Sequence, residues 1–342
     1  MSSSARRVVV YGAFKGIGDL ICAAPVIASE LKSGAAVTLL VFPAVVQFVE
    51  LLDFGSSSDL RTCVLPVRGA AKSVGRFLRE MSRLSPNLVL ISPHAPESVA
   101  SWKIPLLLWA VKKISWPKGQ LAGAASEPFS ALFDLRIPVN RNLPYMVREW
   151  TAYSALNGNS AAATMPQVQF KESIRLSRRL APKYDVVIHP GAGTENRKWP
   201  VHNYVDLVRH ISPNHRIAVI GLPADVSALQ AVLPGDREID FITGSLENAI
   251  IAIARARVAM TMDSGGMFFA HLLGVPTVSL FGPSDPANVI PSSWNVLPIY
   301  RQMWSCQPCM RPRCSQRAVY CMSSLAPERV AEKIMGLLHS TA

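Results

Sequence analysis

Short apolar runs alternate with longer stretches in which apolar residues return every three or four positions, and this alternation organises the chain. Unbroken apolar runs suit parallel strands covered on both faces, and the longer stretches suit amphipathic helices. In the first half the pattern predicts strands over 7–11, 37–42, 62–67 and 88–92, separated by helices over 20–32, 44–52 and 74–84. From 116 to 183 the periodicity weakens among Pro, Ala, Ser and Asn residues, so loops and an interdomain link near 157–183 are expected there. A second series follows, with strands over 185–189, 216–221 and 238–243 and helices over 201–211, 224–233 and 246–255. The apolar residues 256–262 then form a strand ending near Asp263, followed by a helix over 267–273 that Gly274 and Pro276 stop, and a strand over 277–281.

Two βαβ series in one chain predict an α/β protein with two Rossmann-like, doubly wound domains facing across a cleft. The expected division is a first domain over 1–165, a second over 166–325 that includes a cysteine-rich segment at 306–321, and a closing helix within 326–342 that packs back on the first domain. A length of 342 residues and a hydrophobic content of 49% support two cores of ordinary size. The richest apolar run, 104–111, is too short to span a membrane, and the start of the chain lacks the pattern of a secretory signal, so a cytoplasmic protein is expected.

The net charge is +12. Between Arg61 and Glu149 thirteen basic residues, among them Arg68, Lys72, Arg76, Lys103, Lys112, Lys113 and Lys118, face five acidic ones. Such an excess is either ordinary solvated charge or a face for an anionic lipid surface or an acidic acceptor. No nucleic-acid-binding motif accompanies it.

Three clusters carry candidate chemistry. The first, Gly12-Ala-Phe-Lys-Gly-Ile-Gly-Asp-Leu, follows the first strand but puts Ile21 where a dinucleotide fingerprint needs its third glycine. Asp19 in it is either a helix cap or a general base. In the second cluster, His189-Pro-Gly-Ala-Gly-Thr-Glu-Asn-Arg-Lys-Trp-Pro200, Gly191 and Gly193 free the backbone, Thr194 offers a hydroxyl, and Arg197 or Lys198 offers positive charge. The third, Asp263-Ser-Gly-Gly, joins the end of a buried strand to the start of a helix, where backbone N–H groups bind anions. The last two together suit a diphosphate.

The segments Gly18-Asp19-Leu20 with Pro25, His189-Pro-Gly-Ala-Gly with Arg197-Lys198-Trp199-Pro200, and Asp263-Ser-Gly-Gly with Gly274-Val-Pro-Thr-Val-Ser-Leu-Phe-Gly-Pro-Ser-Asp-Pro286 resemble glycosyltransferase family nine, the lipopolysaccharide heptosyltransferases. The resemblance runs through almost the whole chain. It implies a GT-B fold, with a nucleotide-sugar donor such as ADP-heptose on the second domain and the acceptor on the first. It implies inverting transfer without a catalytic metal or other cofactor, with Asp19 as the base that deprotonates the acceptor hydroxyl. Thr194, Lys198, Ser264, Gly265 and Gly266 match the family's diphosphate-binding positions, and Asp225 and Asp263 are expected to contact the donor nucleotide. The implied acceptor is the acidic lipid A-core glycolipid, met at the inner face of the cytoplasmic membrane. The family carries a His three residues after the first glycine of the third cluster, where this chain has Phe268. His271, one helical turn later, either substitutes for it or packs in a helix interface.

Two further readings stay open on sequence. Transfer of another nucleotide sugar, or transfer to a protein, fits the same motifs, and a non-catalytic sugar-nucleotide-binding or scaffold protein fits the loss of that His. Cys306, Cys309, Cys314 and Cys321 have spacing suited to a structural zinc or iron site, the other reading being four reduced thiols in a basic loop. Related protein heptosyltransferases are thought to hold iron through such a segment. Cys22 and Cys63 read as core residues.

Overall fold

A computed structural model describes residues 8–14, 16–55, 59–65, 75, 77, 79, 80, 83, 88–91, 120–124, 135–137, 140–158, 164–211, 213–233, 235, 238–309, 311 and 313–340. The chain divides between Val168 and Gln169 into two units.

The first unit is a six-stranded parallel sheet made of β1 (Val8–Phe14), β2 (Ala36–Val41), β3 (Leu60–Val64), β4 (Leu88–Ile91), β5 (Gln120–Ala124) and β6 (Leu135–Ile137). Their spatial order, β3-β2-β1-β4-β5-β6, is that of a doubly wound sheet, with the winding direction changing between β1 and β4. Helix α1 (Ile17–Lys32) follows β1 and begins three residues earlier than the apolar pattern predicts. Every residue from Leu20 to Ile27 is buried, so the helix is apolar all round and lies inside the unit. Pro25 is thus interior to the helix and gives its backbone no N–H to donate.

Helix α2 (Pro43–Val49) follows β2, and α3 (Tyr145–Leu156) packs on α1, with the Tyr153 hydroxyl donating to Glu30 Oε1 at 2.9 Å. Sequence periodicity found neither α3 nor the strands β5 and β6, of which β6 is at the edge of the sheet. The helix expected over 74–84 is described only at residues 75, 77, 79, 80 and 83, of which the first four are helical and 83 lies in a turn. The apolar run 104–111 and basic residues Arg68, Lys72, Arg76, Lys103, Lys112, Lys113 and Lys118 lie outside the described residues.

The second unit repeats the plan. Its strands are β7 (Tyr184–His189), β8 (Ile217–Ile220), β9 (Ile239–Ile242), β10 (Ala256–Met262), β11 (Thr277–Phe281) and β12 (Val296–Tyr300), in the order β9-β8-β7-β10-β11-β12, all parallel. Helices α4 (Glu172–Arg179), α5 (Val201–His210), α6 (Pro223–Gln230), α7 (Leu246–Ala254) and α8 (Gly265–Leu272) connect or cover them. Every residue of β11, and all of β10 except Arg257, is buried, which is why these runs carry so few polar side chains. Strand β12 was missed because Pro298 interrupts it. As the outermost strand it has one side unpaired, where a missing N–H costs little.

The sequence reading offered the closing helix, α10 (Pro327–Ser340, after the short α9, Tyr320–Ser323), to the first domain. Its buried stripe, Val330, Ala331, Ile334 and Leu338, lies in the core of the second unit with Tyr204, Leu207, Val258 and Val278. Arg257 donates to the Leu338 carbonyl at 2.7 Å, and the Trp199 indole to the Leu325 carbonyl at 3.1 Å. Among the described residues no helix is long and apolar enough to cross a membrane.

Candidate functional site

In a doubly wound sheet the crevice opens at the carboxyl ends of the two strands between which the winding changes direction. In the second unit these are β7 and β10. Strand β7 ends in His189, and the chain then runs through Pro190-Gly-Ala-Gly-Thr and one short turn, Glu195–Arg197, before α5. Strand β10 ends in Met262, and after Asp263 and Ser264 the chain enters α8.

Two glycines let these turns close on the His189 ring. A Cβ on Gly266 would lie 2.8 Å from both Cγ and Nδ1 of His189, and one on Gly191 would lie 3.2 Å from its Cε1. Gly266 is therefore required by close approach, since no side chain fits there without displacing the ring. Ser264 Oγ lies 3.4 Å from the His189 Nδ1. Burial holds the imidazole down at about 4, against the opposing charge of Asp225, so near neutrality it is an uncharged ring with one donor and one acceptor nitrogen. Ser264 is the N-cap of α8, whose first N–H groups have no acceptor within the helix. These groups, with the hydroxyl, form an anion cradle.

Positive charge stands beside it. Lys198 Nζ is 2.9 Å from Asp225 Oδ1 and 2.7 Å from Glu195 Oε1, and hydrogen bonds to these two carboxylates raise its pKa. A Cβ on Gly191 would approach Asp225 Oδ2 to 3.1 Å, so the Lys198–Asp225 pair and the His189–Ser264–Gly266 group meet at Gly191. Arg197 Nη1 is 3.3 Å from Asp263 Oδ2, which also accepts a short hydrogen bond from the Ser284 hydroxyl. Of the two cations left open by the sequence, Arg197 is thus tied to the end of β10, while Lys198 stands with Asp225 beside the cradle. The Thr194 hydroxyl donates to Asn196 Oδ1 at 2.7 Å, and the buried Asn196 amide donates to the Arg311 carbonyl at 2.7 Å.

Thr194, Lys198, Ser264, Gly265, Gly266, Asp225 and Asp263 therefore all sit on loops or in the first turns of helices α6 and α8 at the same end of the second unit's sheet. Asp19 belongs to the first unit. It stands in the first turn of α1 and its Oδ2 accepts from the Gly16 N–H at 2.9 Å, so it closes the helix start from the third helical position instead of serving as the cap residue itself. The carboxylate also adds its charge to burial in raising the pKa of Cys22, one turn further on.

His271 does not take over the position of Phe268. Its ring stacks on Trp294, with centroids 3.8 Å apart and planes 13° apart, and Phe268 meets the same indole edge-on at 5.5 Å. Both are packing residues, and burial holds the His271 imidazole down at about 4.

The described residues show no metal centre at the cysteines. Among the described residues no group of three or more His, Cys, Asp or Glu side chains is placed to hold an ion. Cys306, Cys309, Cys314 and Cys321 are free thiols. What fixes the segment is hydrogen bonding: Gln307 Nε2 donates to the Gly282 carbonyl at 2.8 Å and the Cys309 N–H to the Pro283 carbonyl at 2.9 Å. The Cys314 thiol points to the Ala318 carbonyl at 3.5 Å. Burial, and then the neighbouring Cys314 and Cys309, push the Cys321 thiol up to about 11.

Sequence reasoning did not single out His189, Asn196 or Ser284. His189 carried the clearest signal, a polar residue closing an otherwise buried parallel strand at the end where ligands bind. Asn196 and Ser284 lie in loops and act through partners distant in sequence, which spacing does not reveal.

The chain is similar in sequence and fold to known proteins. Residues 94–319 match the family model described as glycosyltransferase family 9 (heptosyltransferase). The chain is 26% identical over 291 residues to lipopolysaccharide heptosyltransferase 2 of Salmonella typhimurium (strain LT2), covering 79% of this chain and 80% of that protein. Its fold is similar to that of a family 9 glycosyl transferase from Veillonella parvula DSM 2008, at 18% identity, TM-score 0.72 and 99% coverage of each chain. It is also similar to E. coli heptosyltransferase WaaC with ADP-2-deoxy-2-fluoro heptose, at 16% identity and TM-score 0.71, covering 96% of this chain and 99% of that one. The fold is accordingly GT-B. With the family model spanning both the His189 loop and the start of α8, the chain belongs to glycosyltransferase family 9, the heptosyltransferases, and is a glycosyltransferase.

Proposed function

We propose that the protein transfers heptose from ADP-heptose to a hydroxyl of the inner core of an acidic, lipid A-type glycolipid, with inversion and without a metal ion. The observation that carries this reading is the pairing of an uncapped helix start at Ser264-Gly265-Gly266 with Lys198 at the strand ends of the second unit. An ammonium, a hydroxyl and backbone N–H groups stand at that end of the sheet, a set suited to a diphosphate that grows in strength as negative charge accumulates on the leaving group. The name of the Salmonella relative, a lipopolysaccharide heptosyltransferase, and the ADP-heptose analogue in the E. coli structure support the choice of donor and acceptor.

In this mechanism Asp19 takes the proton from the acceptor hydroxyl as its oxygen attacks the anomeric carbon, and the nucleoside diphosphate departs toward Lys198, Thr194, Ser264 and the N–H groups of Gly265 and Gly266. Asp225 serves the nucleotide side and, through its 2.9 Å contact, fixes the direction of the Lys198 ammonium. Asp263, paired with Arg197, sets the entry to α8. The reaction belongs at the cytoplasmic face of the membrane, where a cationic first domain meets an acidic acceptor.

Steady-state kinetics of two variants tests the roles separately. Asp19→Asn is expected to lower kcat by roughly a hundredfold or more with little change in donor KM. Lys198→Ala is expected to weaken donor binding and to lower kcat as well, because its charge is needed most at the transition state. An Asp19→Asn enzyme with most of its turnover intact would remove Asp19 from the mechanism.

A further inference from the structure

The segment after β12 presents apolar side chains that the fold does not use. Met303 is 49% exposed, Trp304 40% and Tyr320 40%. They are held in this position by hydrogen bonds. The buried Gln307 accepts from the Met303 and Trp304 N–H groups at 3.1 and 3.2 Å and donates to the Gly282 carbonyl, so the turn is fastened to the loop that follows β11. The other arm is fastened to the same place: a Cβ on Gly282 would come within 3.1 Å of Cys321 Sγ and 2.9 Å of Met322 Cγ. With both arms anchored there, the Trp304 and Tyr320 rings stand 5.3 Å apart.

The charge along this segment of chain has one sign. No Asp or Glu occurs between Asp285 and Glu328, whereas Arg301, Arg311, Arg313 and Arg317 are all exposed. None of the four is ion-paired among the described residues. Trp and Tyr prefer the headgroup level of a bilayer, where the ring body is apolar and its N–H or O–H stays wet. Guanidinium groups pair with lipid phosphates in a bidentate manner and are drawn to an anionic leaflet.

We infer that Met303, Trp304 and Tyr320, with Arg301, Arg311, Arg313 and Arg317, form a docking surface for an anionic lipid bilayer. A two-fold contact between copies would set these like charges against one another, and a soluble anion would leave the apolar side chains without a role. The surface is wired to the donor loop, since the Arg311 carbonyl accepts from Asn196, which holds Thr194. The inference is independent of the donor and acceptor proposed above.

The test is co-sedimentation of the full chain with vesicles of phosphatidylcholine containing about a third phosphatidylglycerol, compared with pure phosphatidylcholine. The wild type is expected to partition onto the anionic vesicles and to come off as salt is raised from about 0.1 to about 0.5 M. Trp304→Ser with Tyr320→Ser should lower the partition coefficient roughly tenfold. Arg313→Gln with Arg317→Gln should lower it by about fivefold per charge. Melting curves matching the wild type establish that the variants are folded. Equal partitioning of wild type and both variants, or equal wild-type binding to the two kinds of vesicle, would overturn the inference. So would sedimentation velocity showing that the aromatic variant breaks an oligomer formed by the wild type.

Discussion

Replacing Gly266 with Ala places one methyl group against the ring that organises the candidate site. The new Cβ would stand 2.8 Å from two atoms of the His189 imidazole and 3.2 Å from its Cβ. Ordinary carbon contacts begin near 3.5 Å, so ring and helix start must separate by about 0.7 Å. Overpacking of this kind costs about 1–3 kcal/mol. In a unit of this size that lowers Tm by about 2–10 °C. The displacement falls on Ser264 and the first N–H groups of α8, so donor KM should rise several-fold. Gly193→Ala is the control from the same loop: nothing lies within 4 Å of its Cβ and its φ is not positive, so its Tm should stay within about 2 °C of the wild type or rise slightly. Thermal melting with initial-rate kinetics reads both effects. A Gly266→Ala protein that melts with the wild type and keeps its donor KM refutes the packing argument.

Two further outcomes follow from the charges. The His189 and His271 imidazoles are both held at about 4 by burial, below their ordinary 6.5, so below pH 6.5 the unfolded chain binds protons that the folded one does not. Stability should therefore fall as pH drops from about 6.5 to 5, with up to two protons in the slope, and His271→Phe should remove about one of them; urea titrations with identical slopes for both proteins would contradict this. Glu195 is exposed and competes with a diphosphate for Lys198, so Glu195→Gln should tighten donor binding by about two- to fivefold, whereas Asp225→Asn should weaken it by isothermal calorimetry. Weaker binding by the Glu195 variant would assign that carboxylate to the donor.

The two sheets were legible because continuous apolar runs such as 186–188 and 258–260 have no other stable place than a covered parallel strand. Legibility ended where burial is partial. Strand β12 carries Pro298, and α4 has Ile174 as its single buried residue, so neither shows a clear period. Site residues followed the same division. Ser264, Gly265 and Gly266 stood out because a small-residue turn after a buried strand has few structural uses. The contacts that organise them cross long stretches of chain: His189 to Gly266, Lys198 to Asp225, Asn196 to Arg311. The cysteine spacing suggested a metal, and what the described residues show there is hydrogen bonding from Gln307 and Cys309 that fixes the segment.

The central claim is transfer of heptose with the donor's diphosphate leaving at Lys198 and the start of α8. The most direct measurement is mass spectrometry, with NMR of the product linkage, after the wild type is incubated with ADP-heptose and a truncated lipid A-core acceptor in the presence of a chelator. The prediction is an acceptor heavier by one heptose, joined with an anomeric configuration opposite to that of the donor. An unchanged acceptor mass, or a product that keeps the donor's configuration, would contradict the account.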